Sequence, residues 1–378
     1  MMSIIAPETW VILAVGAIVA TNCALVGSFL VLRKMALLGD AISHAVLPGI
    51  AIAFLLSGSR APAPMLIGAG ALGVVTVALV ELIHRSRRVY EDASIGVVFP
   101  ALFAIGIILI SRYAAQVDLD QDCVLYGEIA YAPFDEITLF GAILPYKAIW
   151  VGAAVLIFNL VLVVGLYKEL KITTFDAELA SSLGYAPRLM HYLLMTAVSI
   201  TVVSAFESVG AILVVAMLIV PPATAYLLTN RLSLLLVGSV IIGVAASSCG
   251  YLVSKPLNCS IAGAMAVTAG AFFLTAWIGS PQHGLLARLV TRRRVLRELD
   301  RRLLLYHLKS EGGRGVSDSR ILPRFGWTSS KLRRVESELR RRGYVERTNG
   351  ALRLTAAGEA AIERAGASEL VHRLAASS

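Results

Sequence analysis

Residues 10–32 read WVILAVGAIVATNCALVGSFLVL, an apolar run without a charged residue. About 20 such residues are needed to cross roughly 30 Å of hydrocarbon as a helix. The run has no positive leader and no cleavage signature, so we interpret it as a retained span rather than a signal peptide. Similar runs recur and predict spans over residues 10–32, 42–57, 63–84, 93–111, 148–167, 189–206, 209–229, 232–252 and 257–279. The expected fold is therefore an all-α polytopic membrane protein with about nine transmembrane helices.

Composition and charge divide the chain into two parts. Of its 378 residues, 57% are hydrophobic and 16% charged, more apolar sequence than a soluble core of this length can bury. Residues 288–378 hold 21 of the 34 Lys and Arg but 10 of the 25 Asp and Glu, a net charge of +11. Such a tail favours a polyanionic partner or an anionic membrane surface, with a solvated face as the alternative. We predict a transmembrane domain over 1–285 and a cytoplasmic domain over 292–378.

Basic residues predict the orientation of the spans. Nine spans put the termini on opposite sides, whereas a single bent span around Glu207 would give eight. With the N-terminus outside and the C-terminus cytoplasmic, one side collects most of the cations, as cytoplasmic loops do: Arg33, Lys34, Arg85, Arg87, Arg88, Lys168, Lys171, Arg188, Arg231 and Arg292 to Arg294. The acidic, proline-containing segment 112–147 is expected to form irregular or re-entrant structure facing outward.

Asp40 and His44 lie just after the first span, in the stretch RKMALLGDAISHAVLPG of residues 33–49. If this stretch is helical, the two residues are four positions apart and project from one face. A carboxylate beside an imidazole suits zinc, manganese or ferrous iron, and an interfacial helix cap is the alternative interpretation. Ionisable residues entering a membrane span are costly, which favours a functional role. Glu207, near the outer end of its span, is a further metal candidate.

Residues 26–50, VGSFLVLRKMALLGDAISHAVLPGI, carry a more specific signal. They resemble the signature of the permeases of manganese/zinc/iron ABC importers, and the similarity extends over about residues 8–280. Three further stretches resemble the same family: EDASIG at 91–96, the segment 118–127 that ends in VLYG, and VGAILVVAMLIVPPATA at 209–225.

The resemblance implies a permease that carries Mn²⁺, Zn²⁺ or Fe²⁺ across the bacterial cytoplasmic membrane, with no permanently bound cofactor. It implies four partners: an ABC ATPase subunit, an extracytoplasmic metal-binding protein, membrane lipid, and a second permease, either a copy or a sister chain. It also makes Asp40 and His44 the metal contacts at the dimer axis. A permease for metal chelates is the alternative among transporters, and the metal-suited pair argues against such a bulky cargo.

The resemblance further implies a coupling helix that docks on the ATPase, in the cytoplasmic loop before the sixth span. It would cover residues 174–184, TFDAELASSLG, with Thr174 as its N-cap and Gly184 at its end. The candidate coupling residues are Thr174, Phe175, Asp176, Glu178, Leu179, Leu183 and Gly184. From the residues alone, an ordinary amphipathic loop helix is the simpler interpretation. The chain contains no GxxxxGK[ST] phosphate loop, so we assign ATP hydrolysis to another chain and expect no enzyme activity here.

The tail from Thr291 onward has the pattern of a small soluble domain. Helices are predicted over 294–308, 317–325 and 328–342, followed by a hairpin around Asn349-Gly350 and a last helix. This order predicts a small α+β winged-helix domain, whose third helix would enter a DNA major groove. The possible DNA contacts are Thr328, Ser329, Ser330, Lys331, Arg333 and Arg334.

Residues 343–359 also resemble the DNA-binding domain of diphtheria toxin repressor-type metalloregulators, although the metal-sensing half of such repressors is missing. His372 does not have the spacing of a ligand, and no metal is assigned to it. Winged helices also dock on proteins, so a protein partner or a structural role is the alternative to DNA. A membrane-anchored metal-responsive transcriptional regulator is the alternative function from a different class.

Overall fold

The computed structural model describes residues 7–58, 62–85, 89–113, 129–139, 142–280, 284–312, 315–348 and 350–363. The chain divides into two compact units, Met1–Gly284 and Leu285–Ser378, and each has a hydrophobic core of its own. We call them the membrane unit and the tail unit.

The described part of the membrane unit is almost entirely helical. Its helices are α1 (Pro7–Leu32), α2 (Leu37–Ser57), α3 (Pro62–His84), α4 (Glu91–Tyr113), α5 (Lys147–Gly165), α6 (Tyr167–Phe175), α7 (Ala177–Ser182), α8 (Pro187–Val209), α9 (Ala211–Leu228), α10 (Leu232–Leu257) and α11 (Ile261–Gly279). Helices satisfy every backbone hydrogen bond within one segment, which is why apolar runs adopt them in lipid.

Among the described residues, eight of these helices are counted as long and apolar enough to cross a membrane. The remaining predicted span, 42–57, lies within the 21-residue helix α2, of which Pro48–Ser57 is counted as a shorter apolar helix. The bent single span considered around Glu207 does not occur, because Gly210, at φ 79°, separates α8 from α9.

Helix α1 lies at the centre of the membrane unit. It packs against α5, α8, α9 and α10, and 72% of its apolar stretch is buried. It approaches α9 closely, since a Cβ atom at Gly27 would overlap the carbonyl oxygen of Leu218. Small residues permit such close approach of backbones, and close packing is the main source of helix association in a membrane.

A second layer is formed by α2, α3 and α4, which pack against one another, while α3 also packs against α8. A Cβ atom at Gly49 of α2 would lie 2.7 Å from the Cα atom of Ala69 in α3. A Cβ atom at Gly106 of α4 would lie 2.7 Å from Cδ of Pro48. Helix α2 is therefore held tightly on both sides around Pro48 and Gly49.

The segment predicted to face outward contains more regular structure than expected. A 3-10 turn at Ile129–Tyr131 is followed by strand β1 (Glu136–Leu139) and strand β2 (Ala142–Pro145), which pair antiparallel with Glu136 opposite Pro145. Its acidic residues Asp118, Asp120, Asp122 and Glu128 lie outside the described residues.

The tail unit combines helices with a small sheet. Its elements are α12 (Leu285–Ser310), β3 (Val316–Ser317), α13 (Asp318–Phe325), α14 (Ser329–Arg341), β4 (Val345–Thr348) and β5 (Ala351–Leu354), and a last helix covers residues 356–363. The strands form an antiparallel sheet in the order β3-β5-β4. As the sequence predicts, the Thr328 hydroxyl caps the helix that follows it, accepting a hydrogen bond from the Lys331 amide.

An ion-pair network joins the sheet of the tail unit to two helices. Arg347 of β4 donates two hydrogen bonds to the Glu336 carboxylate in α14, at 2.8 and 2.9 Å, and one to Asp318 in α13 at 2.8 Å. Glu336 is buried, and a buried carboxylate is tolerated where a bidentate arginine satisfies it. The network therefore fixes α13, α14 and β4 relative to one another.

The contact between Gly27 and Leu218 gives a testable prediction about packing. Gly27→Ala should lower the melting temperature of the purified protein by roughly 5 °C or more, because overpacking costs about 1–3 kcal/mol. Thermal unfolding in detergent, followed by fluorescence-detected size exclusion, measures the change. Gly270→Ala is the matched control, since a Cβ atom at this glycine of α11 would have no neighbour within 4 Å. Equal melting temperatures for the two variants would contradict the packing role of Gly27.

Candidate functional site

The first turns of α2 carry the pair of side chains singled out by the sequence. Asp40 and His44 are four residues apart on this helix, and Nε2 of His44 lies 3.7 Å from Oδ1 of Asp40. Their side chains are 42% and 33% exposed, respectively, so both reach the surface of the membrane unit. The pair presents one carboxylate and one imidazole from a single helical face.

Two phenylalanines of α4 hold the His44 ring. The ring of Phe99 stacks on it with centroids 5.5 Å apart, and the ring of Phe103 meets it edge-on at 5.8 Å. These contacts limit the rotation of the imidazole and leave it beside Asp40. No sequence signal pointed to this pair, because Phe99 and Phe103 lie on an ordinary apolar helix about 55 positions further along the chain.

The pair on its own is an incomplete set of metal ligands. No group of three or more His, Cys, Asp or Glu side chains placed to hold a metal ion occurs in the described part of the chain. Zinc sites generally use four ligands, and manganese and iron accept more. A metal held at Asp40 and His44 would therefore need further ligands from water, from residues outside the described ones or from another chain.

Glu207 is the further metal candidate from the sequence. It lies in the last turn of α8, one turn before Gly210, whereas Asp40 lies in the first turn of α2. The side chain of Glu207 lies outside the described residues, so its assignment as a metal ligand stays a prediction.

The predicted coupling segment differs from expectation in where its helix begins. Thr174 is not the N-cap; Thr174 and Phe175 end α6 instead. The cap of α7 is Asp176, whose extended backbone and short carboxylate let it accept a hydrogen bond of 2.8 Å from the Leu179 amide. The helix then ends at Ser182, and Gly184 follows with φ 85°.

This segment exposes large apolar side chains. Phe175, Leu179 and Leu183 are 61%, 49% and 60% exposed, whereas Ala180 of the same helix is fully buried. We call these three exposed side chains the loop surface. Large apolar side chains exposed on a loop between spans are typical of a protein contact site.

Arg33 makes a contact that the sequence did not indicate. Its Nε donates to Oγ1 of Thr174 at 3.2 Å, and its Nη2 donates to Oγ1 of Thr173 at 3.3 Å. Burial lowers the pKa of Arg33 to about 10, so the side chain stays cationic at neutral pH. The sequence indicates this residue only as one of the basic residues that follow a span.

A cavity of about 210 Å³ lies near the start of α2 and the end of α3. Beside it, Tyr192 donates a hydrogen bond to Glu81, and Arg85 pairs with the same carboxylate. The cavity is lined by Met35, Leu38, Val77, Val80, Glu81, His84 and His191. This arrangement ties α3 to α8 and was not predicted from the sequence.

A bundle of apolar helices of this length is the architecture of a multi-pass membrane protein. The ABC 3 transport family model matches residues 9–280. The chain belongs to this family, whose members are the membrane permeases of ABC transporters and rely on ATPases that are separate chains.

Named relatives support this assignment. The manganese transport system membrane protein MntD of Bacillus subtilis is 50% identical over 281 residues, which is 74% of this chain and 95% of the relative. The zinc transport system membrane protein TroD of Treponema pallidum is 41% identical over 355 residues, 93% of this chain and 96% of the relative. The match to TroD is longer than the membrane unit, so it includes much of the tail unit.

A solved structure shows the same fold. PsaBC from Streptococcus pneumoniae, in complex with Fab, matches with a TM-score of 0.63 at 32% identity. The match covers 76% of this chain and 95% of that one.

Proposed function

We propose that this chain is the permease of an ATP-driven importer for a divalent transition metal, manganese, zinc or iron, and that Asp40 and His44 contact the metal. The observation that carries the proposal is the half-exposed carboxylate and imidazole pair on α2. It occurs in a chain 50% identical to a manganese permease and 41% identical to a zinc permease. A site for a bulky chelate would not need two metal-suited side chains 3.7 Å apart.

The incomplete ligand set supports a central site shared by two permeases. One protomer supplies one carboxylate and one imidazole, and two protomers facing each other supply four ligands. Four mixed oxygen and nitrogen ligands suit manganese, iron and zinc alike. The second permease is then a copy of this chain or a sister chain, and an extracytoplasmic binding protein delivers the metal to the outer side of the permease.

The orientation follows if α2 crosses the membrane as a ninth span. Its 21 residues would be about 31 Å long at 1.5 Å per residue, which matches the hydrocarbon thickness. The N-terminus is then outside, the tail unit is cytoplasmic, and α6 and α7 lie on the cytoplasmic side. The loop surface of Phe175, Leu179 and Leu183 is placed where a separate ATPase subunit can dock. Thr174, Asp176, Glu178 and Gly184 complete the coupling segment.

Substitution of the metal pair tests the transported cargo. Asp40→Asn and His44→Gln should each lower accumulation of the metal at least tenfold or so, because loss of one interaction at a metal site costs about 10–100-fold. Cellular manganese, iron and zinc are measured by mass spectrometry after growth in metal-limited medium.

Asp92→Asn is the matched control, since Asp92 is an exposed acid in the first turn of α4. Unchanged contents of all three metals in the Asp40 and His44 variants, with the protein present in the membrane, would refute the site.

The loop surface is tested by ATPase retention. Leu179→Asp should reduce the amount of ATPase subunit that co-purifies with the permease by about tenfold, because a charge would be buried in an apolar interface. Leu257→Asp is the control: this leucine is 66% exposed at the end of α10, which the proposed orientation puts on the outer side. Full retention of the ATPase by Leu179→Asp would exclude the loop surface as its docking site.

For the tail unit we propose a winged-helix fold with DNA contact as a second function. Support comes from the helix, strand, helix, helix, strand, strand order and from the exposed positions of Thr328, Ser329, Ser330, Arg333 and Arg334 on or beside α14. Lys331 is less suited than the sequence suggested. Its Nζ lies 2.8 Å from Asp300 and 5.0 Å from the centre of the Trp327 ring, so contact with DNA would require it to leave both partners.

DNA contact predicts binding that depends on arginine and on salt. Full-length protein in nanodiscs of uncharged lipid should bind a labelled mixed-sequence duplex at low salt, with affinity falling steeply as salt rises. Fluorescence anisotropy measures binding. Arg333→Ala combined with Arg334→Ala should weaken it about tenfold or more, whereas Arg112→Ala in α4 should not. Absence of binding at low salt would leave docking on a protein as the role of the tail unit.

A further inference from the structure

Arg33 joins two parts of the membrane unit that have separate roles in the proposed function. Its guanidinium hydrogen-bonds Thr173 and Thr174, which end α6 immediately before the coupling segment. Its backbone lies between α1 and α2, seven positions before Asp40. No other hydrogen bond between side chains of described residues connects the end of α6 to the entry of α2.

The threonine side of this contact is rigid. Thr173 is buried, and its hydroxyl donates to the Glu169 carbonyl at 2.7 Å while accepting from Arg33. The bond to Glu169 therefore fixes the position of the hydroxyl relative to α6. Asp176, the cap of α7, follows only three residues later. Because so few residues separate the two helices, a displacement of α7 also displaces the end of α6.

The arginine side is also tightly connected. The Arg33 amide donates to the Phe29 carbonyl at 3.0 Å, and the Met35 amide donates to the Leu30 carbonyl at 2.9 Å. Lys34 turns the chain with a left-handed φ of 63°. The Leu38 amide then bonds the Met35 carbonyl at 3.1 Å at the start of α2. A hydrogen-bonded connection of this length transmits a movement of Arg33 to the first turn of α2.

The two partners of the guanidinium are neutral hydroxyls, and the cation is partly withdrawn from water. Hydrogen bonds from a charged donor are stronger than neutral ones. Hydroxyl acceptors still hold the cation less tightly than a carboxylate would. The contact can thus re-form in a second geometry during a transport cycle, as an element that takes two arrangements must do.

We propose that Arg33 is a positioning residue that couples movement of the ATPase-docking segment to α2 and hence to the Asp40 and His44 pair. The proposal rests on the proposed function and deepens it. Arg33 touches neither metal nor nucleotide. It acts through Thr173 and Thr174, so its loss should separate ATP hydrolysis from metal movement while leaving the ATPase bound.

The test uses the permease with its ATPase subunit and binding protein in proteoliposomes. Metal uptake and ATP hydrolysis are measured in the same sample, and their ratio is the readout. Arg33→Gln should lower the metal transported per ATP by about fivefold or more, the lower end of typical coupling between sites. The amount of ATPase that co-purifies should stay the same. Arg33→Lys, which keeps the charge and can reach one hydroxyl, should restore part of the ratio.

Thr173→Val is the partner variant, since it removes an acceptor of Arg33. It should lower the ratio as well, and the double variant with Arg33→Gln should be no worse than Arg33→Gln alone. Thr196→Val is its matched control, because among the described residues the Thr196 hydroxyl bonds the Tyr192 carbonyl of its own helix, at 2.8 Å.

The outcomes separate the inference from the function on which it rests. Absence of metal uptake by the wild-type complex would overturn the proposed function and the coupling role with it. Uptake by the wild type, together with an unchanged ratio in Arg33→Gln, would overturn the coupling role alone. Loss of the ATPase from the Arg33→Gln complex would show a docking role instead and would equally overturn the inference. Additive losses in the double variant would exclude action through Thr173.

Discussion

The packing of Leu218 against two glycines is the constraint on which the membrane unit depends. The Leu218 carbonyl occupies the space beside Gly27 of α1, and its side chain occupies the space beside Gly39 of α2. One residue of α9 thereby sets the separation of three helices. Because protein interiors are close-packed, none of the three can shift alone. Gly39 directly precedes Asp40, so the place of the metal pair is set by apolar packing around α9 rather than by polar contacts of the pair itself.

Polar side chains inside the bundle fix how the helices align along their axes, which apolar packing alone does not determine. Asn159 of α5 donates to Asn22 of α1 at 2.9 Å and to Thr201 of α8 at 2.8 Å, while Asn22 donates to the Gly152 carbonyl at 3.0 Å. Such interhelical bonds contribute on the order of 0.6 kcal/mol each, but their geometry admits only one alignment of the helices. Helix α5 leads directly into α6. The threonines that meet Arg33 are thus positioned from the bundle as well as from the loop.

Much of the fold could be predicted because apolar runs in lipid have few alternatives to helices, and each predicted span has a helix at its place. The pairing of Asp40 with His44 was predictable for a similar reason, since four positions on a helix are one turn. Other features depend on tertiary contact and leave no local pattern. Thr173 lies 140 positions from Arg33, and only the fold brings Phe99 to His44. The sequence did not identify the cap at Asp176, because threonine and aspartate are both favoured N-cap residues. In the structure α6 continues through Thr174 to Phe175, so Asp176 is the first residue that can cap α7.

The incomplete ligand set fits the task of transport better than a complete one would. A protomer that carried four well-placed ligands would hold a divalent metal tightly in every conformation, whereas conduction requires binding that is strong enough to admit an ion and weak enough to release it. In the proposed importer, half of the ligands belong to each permease, so affinity depends on the distance between two copies of α2. Any element that moves the start of α2 then changes affinity directly. Arg33 lies at that start, tied to the segment proposed to meet the ATPase, so the energy of ATP hydrolysis can be expressed as a change in metal affinity without a dedicated gate.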